Sequence, residues 1–366
     1  MIADRMQEFE ASGIRKVFDL AQKIKNPINL SIGQPDFDVP EEVKKEAIKA
    51  IERGFNRYTI TQGIPELSEK ILEKARKERG IKGESIMITS GVAGALTLAF
   101  LVLINPGDEV LVPDPYFVSF KHLVHLCGGK IKFIDTYPDF ELTPERILPH
   151  ISQRTKILII NSPSNPTGVV CKPQHLIEIC DIAKEHNLII ISDEIYKKFV
   201  YEIEYQSIGK FYENTLTCNG FSKSYAMTGW RLGSAIGPAK IINEMMKLQQ
   251  YAYICAPSFA QVAGVKAMDI NMDEYIEDYK KKRDFVCDGL KERYKVTKPD
   301  GAFYVFPQVP WGTDEEFVTE AIKHDLLIIP GSVFSEKKTH FRLSYAASYE
   351  TLERGVEILN SLSKRL

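Results

Sequence analysis

Residues 157–196 read ILIINSPSNPTGVVCKPQHLIEICDIAKEHNLIIISDEIY. Ile157–Asn161 and Leu188–Ser192 are near-continuous Ile and Leu, the composition of strands covered on both faces. Between them, His175–His186 carries a helical pattern. Strand, helix and strand in this order are the unit of a parallel sheet. Working outward, further strand candidates are Ile86–Thr89, Glu109–Val112 and Ile131–Ile134 upstream, and Leu216–Asn219 and Leu232–Ile236 downstream. Helical candidates Gly94–Ile104 and Tyr116–Cys127 lie between them, and the turn NPGD at 105–108 stops the first. The alternation predicts an α/β domain with a mostly parallel, seven-stranded sheet flanked by helices.

At 366 residues, the chain exceeds one ordinary core and suggests a second, smaller domain. A helical pattern rich in charge, Met272–Tyr294, leads into strands Ala302–Phe306, Leu327–Ile329 and His340–Tyr345. These mix with helices Asp314–His324 and Tyr349–Leu362, as in an α+β layer. The expected division is a large domain over 40–279, with 1–39 and 280–366 together forming the small one. The helix expected over Gly13–Lys23 is too short to fold alone and should pack on one of them.

Net charge is −2, so neither nucleic acid nor another polyanion is an expected partner. The longest apolar stretch, LTLAFLVLI before Asn105, is far short of a membrane span. The start, MIADRMQEFE, resembles no secretory or transit signal. Six scattered cysteines without a CxxC pair suggest reduced core thiols and a cytoplasmic protein. Seven histidines without HxxxH or HxH spacing argue against a bound metal.

Ligands of open parallel sheets sit at the carboxyl ends of the strands, so the chemistry should follow each strand. After Ile86–Thr89 comes SGVAGA, a small-residue turn opening a helix, suited to an anion. After Ile157–Asn161 comes SPSNPTG. After Leu188–Ser192 come Asp193, Glu194 and Tyr196. After Leu216–Asn219 comes GFSKSYAMTGWRLG, with Ser222, Lys223 and Arg231. An amine, a carboxylate, hydroxyls, an arginine and an anion cradle are what pyridoxal 5'-phosphate (PLP) chemistry requires. The amine forms a Schiff base, the carboxylate keeps the pyridine nitrogen protonated, and the phosphate takes N–H groups and a guanidinium.

GFSKSYAMTGWRLG resembles the lysine signature of the class I/II aminotransferases, fold-type I PLP enzymes. NPTG and SDEIY stand upstream in that family's order, and FRLSYA in its place near residue 345. The resemblance runs from IGQPDF at Ile32 to Tyr345. It implies a fold like that of aspartate aminotransferase. It implies Lys223 as the Schiff-base lysine and proton carrier, and Asp193 as partner of the pyridine nitrogen. Tyr196 and Asn165 would donate to the ring 3-oxygen. Ser222, Arg231 and the backbone of Gly91, Val92 and Ala93 would hold the phosphate. Phe117 would stack on the ring, and Tyr58 would reach a phosphate from the neighbouring subunit of a homodimer. Arg342 would grip the substrate α-carboxylate, with Asn165 touching it and Gly33 in the substrate-side loop.

Two features depart from the family pattern. The phosphate turn reads Gly-Val-Ala, where many relatives carry a hydroxyl residue. No second arginine or lysine stands in an expected place for a dicarboxylate side chain; Arg15 and Arg57 are candidates by neighbourhood only. Plainer readings exist for each residue: a solvated surface lysine, Asp193 as a helix N-cap, Phe117 as core, Arg342 in an exposed ion pair. The expected reaction is ping-pong transfer of an amino group from an amino acid, aspartate first and an aromatic one second, to a 2-oxo acid such as 2-oxoglutarate. A PLP carbon–sulfur lyase, which releases ammonia and needs no acceptor, is the nearest rival. A dehydrogenase is disfavoured because no GxGxxG follows any strand.

Overall fold

The computed structural model describes residues 2, 3, 6 and 25–364. The helix expected over Gly13–Lys23, and Arg15 within it, lie outside the described residues. Strands are numbered in chain order: β1 Ile28–Asn29, β2 Ser85–Ser90, β3 Glu109–Asp114, β4 Lys130–Asp135, β5 Thr155–Asn161, β6 Ile189–Asp193, β7 Thr215–Gly220 and β8 Leu232–Gly237. β9 is Tyr304–Val305, β10 Leu326–Leu327, β11 Ile329–Pro330 and β12 Phe341–Ser344.

β2 to β8 form one seven-stranded sheet in the order β2-β8-β7-β6-β5-β3-β4. β8 alone runs against its neighbours; the β3, β4, β5, β6 and β7 pairings are parallel. All seven strands expected from the sequence are present, each within a residue or two of the expected ends. In the central strands β5 and β6 the apolar side chains are buried on both faces; Ile157, Leu158, Ile159, Ile190 and Ile191 are fully covered. Each such side chain contributes roughly 1.5–3 kcal/mol relative to exposure. Covering helices include Gly91–Leu103 and Pro173–Glu185.

Strand order reverses at β5, which lies between β3 and β6. A crevice for a ligand is expected there, beyond the carboxyl ends. The register aligns those ends, pairing Asn161 with Asp193 and Asp193 with Cys218.

The C-terminal strands form an antiparallel sheet, β11-β12-β9, and β1 pairs in parallel with β10. The helix Asp314–Lys323 opens on a Thr313–Glu316 capping box, which satisfies two of its free N–H groups. The charged helix Asp273–Leu290 sends Tyr279 and Lys282 to Asp36, with both bonds at 2.6 Å. That clasp fixes the 33–37 loop over the carboxyl ends of the large sheet.

Candidate active site

A cavity of about 300 Å³ opens at those strand ends. Gly33, Val92, Ala93, Phe117, Asn165, Asp193, Tyr196, Ser222, Lys223, Arg231 and Arg342 all line it. Gly91 lies immediately behind, where a Cβ would stand 2.6 Å from Arg231 Nη2. Tyr58 does not line it and is 77% exposed, and Arg57 is exposed away from it.

Lys223 follows β7 by three residues. Its Nζ donates to the Gly33 carbonyl oxygen and sits 6.0 Å from the Tyr196 ring centroid. Among the described residues it has no ion pair. Burial, then repulsion from Arg342 and Arg231, lowers its pKa to about 8, with Asp193 opposing. This is no solvated surface lysine: its amine has an appreciable neutral fraction near pH 7.

Asp193 closes β6 and is 3% exposed. Burial raises its pKa to about 7, against the stabilising N–H of Ile195 at 3.1 Å. No helix opens at Asp193, so it is not the N-cap of the plainer reading; the Ile195 bond closes a turn instead. One bond from a single N–H leaves the carboxylate poorly compensated, so a cation placed beside it would be strongly held.

Arg342 is 1% exposed, not the outward ion pair that alternation with Phe341 and Leu343 allows. β12 is covered on both sides, with the Arg342 guanidinium 4.5 Å from the ring centroids of both Tyr304 and Phe334. Its Nη1 donates to Asn165 Oδ1 and its Nη2 to the Ser31 carbonyl, each at 2.9 Å; Nε has no partner. No carboxylate pairs with it among the described residues. Asn165 is itself oriented by Asn161, whose Oδ1 accepts the Asn165 N–H at 2.8 Å.

The anion cradle is built where β2 ends. Gly91 has φ +69°, a left-handed conformation that glycine adopts without strain. The first-turn N–H groups of the helix Gly91–Leu103 lack intrahelical partners and carry the positive end of its dipole. Arg231 reaches the same place, its Nη2 3.5 Å from the Ser90 carbonyl. Gly233 lets β8 pass beneath, since a Cβ there would meet the Gly91 carbonyl carbon at 2.6 Å.

With Leu96, Asn161, Ile195 and Thr228, Tyr304 is one of five cavity-lining residues that sequence reading missed. Its hydroxyl lies 2.8 Å from that of Tyr196, its ring faces Arg342, and it lines the cavity. Burial and Tyr304 push the Tyr196 phenol well above its ordinary value, so it stays a neutral donor. Asn161 and Thr228 also line the cavity. Asn161 was legible as a polar end to an apolar strand. Tyr304, in a short C-terminal strand, gave no comparable signal.

A Cβ on Gly33 would stand 2.5 Å from Tyr304 Oη. Gly33→Ala is therefore expected to displace the Tyr304–Tyr196 pair and cost about 1–3 kcal/mol in thermal or denaturant unfolding. Unfolding indistinguishable from wild type would contradict that packing.

A reactive amine, an under-compensated carboxylate, a helix-end anion cradle with an arginine, and a buried guanidinium without a carboxylate fit PLP and an amino-acid carboxylate. The family model "Aminotransferase class I and II" matches residues 25–359. A probable aspartate aminotransferase of Methanocaldococcus jannaschii is 38% identical over 99% of this chain and 100% of its own. Aromatic-amino-acid aminotransferase 2 of Thermococcus litoralis is also 38% identical, over 99% of this chain and 98% of its own. The structure of aspartate aminotransferase from Thermus thermophilus with maleate superposes with a TM-score of 0.94 at 34% identity, covering 99% of both chains. With sequence, fold and site in agreement, this chain belongs to the class I and II aminotransferases, enzymes that depend on pyridoxal 5'-phosphate.

Proposed function

We propose that the chain is an aspartate aminotransferase that passes the amino group to a 2-oxo acid such as 2-oxoglutarate in two half-reactions. The choice of aspartate is supported by the similar proteins. The observation that carries transfer from an amino acid is Arg342, a buried, carboxylate-free guanidinium in the cavity of Lys223. Its free Nε and one Nη edge suit a bidentate carboxylate. An amino acid held there by its α-carboxylate can present its Cα toward Lys223 Nζ.

Asp193 would hold the protonated ring nitrogen of the cofactor, and Tyr196 and Asn165 its 3-oxygen. Ser222, Arg231 and the N–H groups of Gly91, Val92 and Ala93 would hold its phosphate, with Phe117 against the ring. Bound PLP supplies an aldehyde carbon that bonds amines and a ring that accepts electron density. Lys223 Nζ, neutral in part near pH 7, would be the base that carries the proton away from the substrate Cα. Tyr196 and Tyr304 keep their protons. Asn165 fixes Arg342, and the Asp36 clasp keeps the Gly33 loop closed against water.

The enzyme is proposed to act as a homodimer, Tyr58 serving the phosphate of a neighbouring copy. In support, Tyr58, Ile60, Tyr251 and Tyr253 are exposed, and segments 55–61 and 249–261 are tied by Gln249 and Ser258 to backbone carbonyls. The proposed division is a large domain over 40–279, with 1–39 and 280–366 as the small one. The β1–β10 pairing supports joining the two end segments. The six free thiols support a cytoplasmic location.

A second reading rests on one observation: Lys223, Arg231 and Arg342 are the only cations lining the cavity among the described residues. With those three committed, a side-chain carboxylate has no partner among the described residues, and Phe117, Leu96 and Tyr304 offer an apolar and aromatic wall. That favours an aromatic donor. The test is the absorbance of the PLP-loaded enzyme on adding aspartate, tyrosine or alanine without any 2-oxo acid. A band shift driven by aspartate at far lower concentration than by tyrosine supports the first reading, and the reverse order the second. Ammonia release without an acceptor would replace both with a lyase.

A further inference from the structure

A second cavity, about 220 Å³, lies beside the active site and shares its chain segments. Residues 193, 195, 196, 222 and 223 line the first cavity; residues 197, 198, 219–221, 224 and 225 line the second. The second is rich in cations: Lys74, Arg79, Lys197 and Lys198 against Glu78 alone.

Two nearby carboxylates, Glu194 and Glu78, are already engaged, and Asp273 acts on Lys198 without forming an ion pair with it. Arg79 pairs at 3.0 Å with Glu194, which is fully buried and also accepts from Ser192 at 3.2 Å and from Ser207. Lys74 lies 3.6 Å from Glu78. Lys197 and Lys198 are left over. Among the described residues, the Lys197 ammonium makes no hydrogen bond or ion pair; its backbone N–H donates to the Glu194 carbonyl at 3.0 Å. Lys198 donates to the Tyr225 hydroxyl at 3.0 Å and lies 4.8 Å over that ring, but pairs with no carboxylate. Burial pushes both ammonium groups below the ordinary lysine range. Two such charges facing one hollow are costly without an anion between them.

We infer that this cavity binds a phosphate head group, because two ammonium groups without carboxylate partners match a dianion, whereas a monocarboxylate would balance only one. Lysine binds phosphate as a point charge. Ser224 and Ser234 add hydroxyl donors, and Ile71 and Met268 form a wall against which a short carbon body can lie. The occupant is free phosphate or a small phosphomonoester. This site is distinct from the cradle at residues 91–93, which the cofactor's phosphate would fill.

The test is calorimetric titration of the PLP-loaded enzyme, near neutral pH and at low salt, with inorganic phosphate and separately with glycerol 3-phosphate. Expected is saturable binding, weakened at least about tenfold, or 1.4 kcal/mol, by Lys197→Met and by Lys198→Met. The tighter of the two probes identifies the occupant. No binding of either probe up to about 10 mM, or affinities unchanged in both variants, would overturn the inference. A measurement on the wild-type enzyme covers variants that fail to fold: phosphate should slow acylation of Lys197 and Lys198 by an amine-reactive reagent, read by mass spectrometry. Equal labelling with and without phosphate would refute the site.

Discussion

Lys223→Ala is expected to abolish transamination, with a loss of at least about 10⁴-fold in kcat. General acid–base catalysis alone is worth roughly 10²–10⁴-fold, and the covalent role of the amine is lost with it. The replacement should still fold, because the ammonium's one hydrogen bond, to Gly33, is expendable and its removal relieves repulsion among three cations. The wild-type enzyme should carry a matching pH signature. Burial, Arg342 and Arg231 hold the Lys223 pKa down to about 8, so the neutral amine grows as pH rises through that value. The rate of cofactor loading, which consumes the free amine, should rise with it. Substantial turnover in Lys223→Ala, or a loading profile flat from pH 7 to 9, would refute the assignment.

The site was legible where chemistry follows directly on a strand. Asp193 ends an apolar run, Asn165 sits four residues beyond β5, and Lys223 three beyond β7. Parallel register brings those ends to one edge, so spacing along the chain becomes proximity in space. Arg342 was found by resemblance, and its surroundings were not legible. Its burial depends on Tyr304 from β9 and Phe334 from the turn before β12, brought together by antiparallel pairings that no local pattern encodes. Tyr304 was missed for the same reason: a tyrosine within FYVF reads as core until β9 pairs with β12. The second cavity is a further case. Lys197 and Lys198 follow the SDEIY motif as an ordinary charged pair, and only the packing of residues 71–79 against 219–225 encloses them. The fold itself was more legible, since most strands of the large sheet bury a run long enough to be recognised without knowledge of their partners; the edge strand β4, with Ile134 alone buried, was legible from its place in the alternation.

Arg342→Ala is expected to raise KM for the amino-acid donor by about 30-fold to several thousand-fold, the about 2–5 kcal/mol of a buried charge pair losing one partner. The loss should be shared by every donor, because the α-carboxylate is common to all. An arginine that read the side chain would instead penalise aspartate and spare tyrosine. Arg342→Lys should recover only part of the loss. An ammonium restores the charge but cannot span two carboxylate oxygens, nor stack between Tyr304 and Phe334 as the planar guanidinium does. A second effect separates binding from a merely structural role. Arg342 is the largest like-charge neighbour depressing the Lys223 pKa, so removing it should move the loading profile toward higher pH, while Arg342→Lys should leave it nearer wild type. Arg342→Ala with unchanged KM and an unmoved profile would mean that the guanidinium serves the packing of β12 alone. Donor-selective loss with the profile shifted would transfer its role from the α-carboxylate to the side chain.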